Sequence, residues 1–161
     1  ASGLPSEGKY YVVEPGLSFL RRGRDIGIEH FVLCDTVGLA DPTQVRRFLA
    51  ACRAQFPGIR LEVHIHDTRG MGLVNSLAAI EAGADAVQST LGGLGGCPFA
   101  PGATGNTATE DLVFMLNEMG YDTGIDFETL LRAAKQAYAE IPGVYSGHHI
   151  HIEKTTPCTL C

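Results

Sequence analysis

The sequence predicts an α/β fold built from repeated βα units on a parallel sheet. Three observations carry this. Three short apolar runs are separated by stretches of helical periodicity. A four-residue polar turn recurs after the runs. The polar residues gather where the runs end, which is where barrel and doubly wound sheets alike place their active sites.

The runs at 31–34, 61–65 and 86–89 are rich in apolar and β-branched residues and read as buried parallel strands. After the first, Asp41 and Pro42 form a helix cap followed by proline at the first helical position. Val45, Phe48, Leu49 and Cys52 then mark one helical face. After the second run, Leu73, Leu77 and Ile80 predict another such face, with Gly83 as the stop. A Gly-rich loop follows the third run and ends in Thr107-Ala108-Thr109-Glu110, which has the form of a capping box. Leu112, Val113, Leu116 and Met119 continue as a helix stopped by Gly120. A last helix is expected over 127–140, capped by Asp126 and ended by Pro142-Gly143.

The recurring turn reads Asp35-Thr36-Val37-Gly38 after the first run and Asp67-Thr68-Arg69-Gly70 after the second, with Ser89-Thr90-Leu91-Gly92 as a weaker third copy. A complete (β/α)₈ barrel takes about 250 residues. Three units in 161 residues do not close one, so the chain reads as a fragment or as one piece of a larger assembly. The expected organisation is a barrel part over 1–145 and a tail over 146–161.

Composition excludes several classes. With 45% hydrophobic and 19% charged residues the chain is globular, and its apolar runs fall short of the ~18 residues of a membrane helix. A net charge of −6 makes a poor partner for nucleic acid or anionic lipid. Of its five cysteines, Cys34, Cys52 and Cys97 lie in separate apolar or Gly-rich settings, which suggests a reducing compartment rather than a disulfide framework. Cys158 and Cys161 form a C-x-x-C in the expected tail, and His148, His149 and His151 are read with it as solvated.

The chemistry-bearing residues begin with His64-Ile65-His66-Asp67. Residues i and i+2 of a strand share a face, so both imidazoles project together, either as half of a metal site or as a pair of core or surface histidines. Asp67 points the other way and suits the turn. Asp35, at the end of the previous run, is a base, a metal neighbour or a turn former. The stretch 92–106 is dense in glycine and carries Cys97, a thiol fit to act as acid, base or nucleophile on a closing loop. Asn106 precedes a helix and either caps it or offers its carbonyl oxygen to a metal.

The ordered succession of Asp35-Thr36-Val37-Gly38, His64-Ile65-His66-Asp67-Thr68-Arg69-Gly70, Gly93-Leu94-Gly95-Gly96-Cys97-Pro98 and Gly105-Asn106-Thr107-Ala108-Thr109-Glu110-Asp111-Leu112 resembles the 3-hydroxy-3-methylglutaryl-CoA lyase family. The resemblance implies a partial (β/α)₈ TIM barrel, roughly its last three βα units plus C-terminal helices. It implies His64, His66 and Asn106 as ligands of a divalent metal, Mg²⁺ or Mn²⁺, joined by a first-strand aspartate that this chain lacks. It implies Cys97 as the loop thiol that protonates carbon, with Asp35 and Glu110 near the reacting groups. The implied reaction is a metal-assisted retro-Claisen cleavage of an acyl-CoA to acetyl-CoA and acetoacetate, with Asp35 or His64 as base. The expected partners are an acyl-CoA substrate and further copies of the chain in a homo-oligomer, without nucleic acid or membrane. The expected compartment is the cytoplasm in a bacterium or the mitochondrial matrix in a eukaryote.

Other readings share parts of this pattern. A Claisen-type acyltransferase of the isopropylmalate or homocitrate synthase kind shares the barrel and the H-x-H strand but would bring a Glu- and Arg-bearing loop in place of Cys97. A biotin-dependent carboxyltransferase would bring a lysine near the metal, and none lies between Lys9 and Lys135. An inactive fragment that binds only metal or acyl-CoA is the non-enzymatic alternative.

Overall fold

The computed structural model describes residues 13–96 and 105–153. Helix α1 (Val13–Asp25) leads into β1 (His30–Asp35), α2 (Pro42–Gln55), β2 (Arg60–Ile65), α3 (Gly72–Glu81) and β3 (Ala86–Gln88). A 3₁₀ turn (Leu91–Gly93), α4 (Thr109–Glu118), α5 (Phe127–Glu140) and a second 3₁₀ turn (His149–His151) follow. The strands form one parallel sheet in the order β1-β2-β3, with Cys34 opposite His64 and His64 opposite Gln88. All three expected strands and the four expected helices form. Among the described residues, no helix is long and apolar enough to cross a membrane.

Alternation along β2 divides stability from chemistry. Leu61, Val63 and Ile65 are buried against Leu17 and Leu20 of α1, Leu49 and Cys52 of α2, and Ala79 of α3. The intervening Glu62 and His64, followed by His66, belong to the opposite face. There Glu62 accepts hydrogen bonds from Arg60 Nε and Gln88 Nε2, both at 3.0 Å.

The caps follow simple chemistry. Asp41 Oδ1 accepts from Gln44 N at 3.0 Å while Asp41 N donates to Gln44 Oε1, with Pro42 in the first turn. Asp126 Oδ1 accepts from Thr129 N at 2.9 Å and starts α5 as expected.

Four features differ from expectation. Helix α1 lies outside the expected elements: Val13, Leu17 and Leu20 give it a packed face at i, i+4 and i+7, in a stretch that also holds Pro15, Gly16 and Gly23. Those glycines are set by packing: a Cβ at Gly16 would collide with the Phe48 ring, and one at Gly23 with the Phe31 ring. On α3 the expected Leu73, Leu77 and Ile80 are only half-buried, whereas Gly72, Asn75, Ser76, Ala78 and Ala79 are buried. Small residues let this helix approach its neighbours closely, and that close approach rather than apolar bulk selects the buried face. The capping box at 107–110 does not form. Ala108 is the N-cap, and Thr107 Oγ1 instead donates to Ile65 O at 3.0 Å. Finally, residues 146–150 are hydrogen-bonded into the fold, with Gly147 and Ile150 buried and His149 half-buried, while the His148 and His151 side chains stay exposed as expected.

An open apolar groove of about 770 Å³ lies between α1, β1 and α2, lined by Phe19, Ile26, Phe31 and Phe48 among others. Of the expected site residues only Asp35 borders it.

The buried face of α3 is testable. Ala79→Leu should destabilise by about 1–3 kcal/mol through overpacking, and Leu73→Ala should cost less than Leu61→Ala, for which about 2–5 kcal/mol is expected. Denaturant unfolding of the three variants checks the order; a Leu73→Ala cost equal to that of Leu61→Ala would restore the periodic face.

Candidate functional site

The site forms where β2 runs out. His64 and His66 share a face, and their rings lie edge-on with centroids 5.2 Å apart and an interplanar angle of 72°. Beyond Ile65 the chain is met by residues 105–107 running antiparallel to it. Asp67 N donates to Gly105 O at 3.1 Å and Thr107 N donates to Ile65 O at 3.2 Å. These two bonds flank the His66–Asn106 bridge. His66 and Asn106 therefore face each other as a non-hydrogen-bonded pair, the closer of the two antiparallel pair types, with Cα atoms typically ~4.5 Å apart. An imidazole and an amide 40 residues apart in sequence are thus fixed side by side by main-chain geometry.

The hydrogen bonding of this pair is incomplete in an informative way. Asn106 Nδ2 donates to Leu94 O at 3.0 Å, which fixes the amide orientation. Asn106 Oδ1 and His66 Nδ1 are both buried and have no partner among the described residues. Orphaned buried polar atoms cost on the order of 1–3 kcal/mol each. A cation that takes a lone pair from each would remove that cost. His64 has its pKa lowered by burial and, second, by the neighbouring His66, which favours the neutral imidazole that a cation requires. The residues therefore fit a divalent ion with nitrogen and oxygen ligands. Among the described residues no three His, Cys, Asp or Glu side chains gather into such a cluster, so the amide of Asn106 is needed to make the set.

The two aspartates of the recurring turn act as turn residues. Asp35 O accepts from Gly38 N and Asp67 O from Gly70 N, with Gly38 and Gly70 at φ of 62° and 68°. Each carboxylate then holds the next stretch of chain: Asp35 takes Leu39 N and Ala40 N at 3.0 and 2.9 Å, and Asp67 takes Gly72 N at 2.5 Å. Asp35 also adjoins the site through its main chain, because His66 N donates to Asp35 O at 3.3 Å. The third copy is offset by one residue from the expected alignment: Thr90 O accepts from Gly93 N at 3.0 Å.

Glu110 is fully buried and accepts from Gly92 N at 3.0 Å through Oε2, while its Oε1 has no partner among the described residues. Burial pushes its carboxyl pKa up. Cys97 lies outside the described residues, as do Cys158 and Cys161.

Two residues absent from the expected set join the site's surroundings. Asp111 accepts from four donors on two consecutive residues: His148 N and Nδ1 at 2.7 and 3.0 Å, and His149 N and Nδ1 at 3.0 and 2.6 Å. Burial alone would raise its pKa, but the N–H groups of His148 and His149 and their rings outweigh burial and hold it below the usual carboxylate range. Ser146 Oγ donates to Asn106 O at 2.6 Å. A carboxylate in the first turn of a helix is the visible part of this signal; its partners some 37 residues later are not.

Comparison with known proteins places these features. The HMGL-like family model matches residues 17–136. The hydroxymethylglutaryl-CoA lyase YngG of Bacillus subtilis is 47% identical over 111 residues, covering 69% of this chain and 37% of that protein. The (R)-citramalyl-CoA lyase of Chloroflexus aurantiacus is 40% identical over 134 residues, 83% of this chain and 42% of that protein. The structure of an HMG-CoA lyase from Acinetobacter baumannii, in complex with coenzyme A and 3-methylmalate, superposes with a TM-score of 0.84 at 39% identity, over 96% of this chain and half of that one. The three strands and their helices are thus part of a TIM barrel, and the chain spans about two fifths of the length of these curated relatives.

The Asp111 arrangement has a signed pH dependence. Its carboxylate pKa is lowered on folding, so its contribution is complete above the ordinary aspartate value of ~3.9 and fades as pH falls through the lowered one. Packing of residues 146–151 should persist at pH 5 and loosen only well below pH 4, and Asp111→Asn should loosen it already at neutral pH. Hydrogen exchange at the Gly147 amide reads both; unchanged protection in the variant would remove Asp111 from this role.

Proposed function

This chain belongs to the HMGL-like family, and from that premise we propose that it supplies the metal-binding, C-terminal part of an acyl-CoA lyase that cleaves a carbon–carbon bond. The observation that carries the reading is the facing pair of buried polar atoms, His66 Nδ1 and Asn106 Oδ1, without partners among the described residues, beside His64 at the C-terminal end of a barrel strand. His64, His66 and Asn106 would hold the divalent ion, Mg²⁺ or Mn²⁺, with the remaining positions left to substrate oxygens and water. Bound there, the ion supplies Lewis acidity toward a substrate hydroxyl and carbonyl.

The rest falls to side chains of this chain. Asp35, held at the strand end by Leu39 N and Ala40 N, retains free lone pairs with which to accept the proton of the substrate's tertiary hydroxyl. As that C–O becomes a carbonyl, the adjacent C–C bond breaks and its electron pair moves to the carbon next to the thioester. Cys97, by resemblance to the family, returns a proton to that carbon and releases acetyl-CoA. Glu110 holds the Gly92 turn from below and so supports the loop that bears the thiol. Domain limits follow the same reading, with 1–145 as barrel and 146–161 as its C-terminal extension.

The substrate class is a 3-hydroxy-3-methylglutaryl-CoA-like thioester, giving acetoacetate beside acetyl-CoA. Similarity to a citramalyl-CoA lyase supports a second thioester of the same kind, in which the carbon bearing the hydroxyl also carries a carboxylate.

His66→Ala should weaken Mn²⁺ binding by about 10-fold or more, read by calorimetric or paramagnetic titration of the chain. Cys97→Ala should leave Mn²⁺ affinity within about twofold and nearly abolish acetyl-CoA release in the protein completed with the remaining barrel strands. Normal turnover without the thiol, or undiminished metal affinity without the imidazole, would each sink the corresponding role.

A further inference from the structure

Residues 143–151 lie beyond the stretch that the family model matches, and they do not behave as a tail. They close over both stems of the Gly-rich loop. Val144 O accepts from Gly95 N at 3.3 Å, and Gly147 N donates to Gly92 O at 2.9 Å. The stems are joined to each other, with Asn106 N donating to Gly93 O at 3.0 Å and Gly105 N to Gly95 O at 2.8 Å. The approach is so close that a Cβ at Gly93 or Gly105 would collide with Ser146, and one at Gly92 with the Tyr145 ring. At its near end the segment is anchored by Tyr145, whose hydroxyl lies 2.9 and 2.8 Å from Ala137 O and Ile141 O of the α5 end. At its far end it is clasped by Asp111 through His148 and His149, whose ring packs 4.5 Å from that of Phe114.

Asn106 is the residue most affected. Its N–H goes to Gly93 O, its side-chain Nδ2 to Leu94 O, and its main-chain carbonyl receives the Ser146 hydroxyl. Three of its four polar groups are thereby engaged, and the fourth, Oδ1, stays without a partner among the described residues. We infer that residues 143–151 are a positioning strap: Ser146 and Asp111 hold the Asn106 backbone so that its side-chain oxygen is presented, preorganised, to the cation. The inference rests on reading His64, His66 and Asn106 as that cation's site. Neither Ser146 nor Asp111 touches the ion or the substrate; both act through Asn106. The physical reason is general. A ligand held by outer partners loses little freedom on binding metal, and removal of such partners typically lowers affinity 10–100-fold.

The test has two readouts, on the full chain. Ser146→Ala and Asp111→Asn should each raise the Kd for Mn²⁺ by about 10-fold or more and broaden the Mn²⁺ paramagnetic resonance spectrum at saturation. Ile59→Val, a core truncation beside the opposite end of β2, should leave both within about twofold. In the absence of metal, hydrogen exchange at the Asn106 amide should accelerate at least 10-fold in Ser146→Ala and not in Ile59→Val. A Ser146→Ala chain with wild-type Asn106 protection overturns the strap, whatever the metal does. Altered Asn106 protection together with Mn²⁺ binding that survives His66→Ala overturns the cation site and with it the role assigned to the strap, while leaving the hydrogen-bond mechanics in place. Equal losses of Mn²⁺ affinity in Ile59→Val and Ser146→Ala reduce the effect to general destabilisation and also overturn the proposal.

Discussion

The antiparallel pairing of His66 with Asn106 is the constraint on which the rest depends. A parallel β-strand brings its own i and i+2 side chains to one side, and that accounts for His64 and His66. It does not bring a third group from elsewhere. The two main-chain bonds from Asp67 to Gly105 and from Thr107 to Ile65 do so, and they need no side chain to specify the pairing. Because the pair is of the narrow type, the two side chains are held together on one side of the backbone. Everything nearby either supports that bridge or uses it. Thr107 adds its hydroxyl to Ile65 O, Gly72 leaves room for Thr107 and Asp67, and Ser146 closes on Asn106.

The cost of such a site lies in unsatisfied polar atoms, and the structure confines that cost. Asp35, Asp67 and Asp111 each accept from one or two main-chain donors. Among the described residues the buried polar atoms left without a partner are His66 Nδ1, Asn106 Oδ1, Glu110 Oε1, Asn75 Oδ1 and Thr68 Oγ1. Of these atoms, His66 Nδ1 and Asn106 Oδ1 belong to residues that the chain pairs side by side. Glu110 and Asp111 show how neighbours in one helical turn diverge: Glu110, with a single main-chain donor, has its pKa raised by burial, whereas Asp111, with two main-chain donors and two rings, has its pKa lowered.

Where local chemistry decides, the sequence was readable. The strands around 31–34, 61–65 and 86–89, the Asp41-Pro42 start of α2 and the Asp126 start of α5 each depend on residues within a few positions of one another. Where a distant partner decides, it was not. In helix α1 the glycines at 16 and 23 are explained only by the Phe48 and Phe31 rings that press against them. The Thr107–Glu110 box is outbid by Ile65 O and Gly92 N, both remote in sequence. Nothing near His149 in the sequence shows that Asp111 holds it half-buried, while His148, bonded to the same carboxylate, keeps its ring exposed.

The sequence alone determined the βα rhythm, the face shared by His64 and His66, and the ordered motifs that mark the family, since these follow from backbone periodicity and from residues adjacent along the chain. Tertiary structure alone decided that Asn106 would stand beside His66, its side-chain oxygen without a partner among the described residues, and that Ser146 would bond its main-chain carbonyl. The reason is physical: both arrangements end on main-chain groups about 40 residues away in sequence, and a backbone amide or carbonyl carries no letter by which its partner can be read.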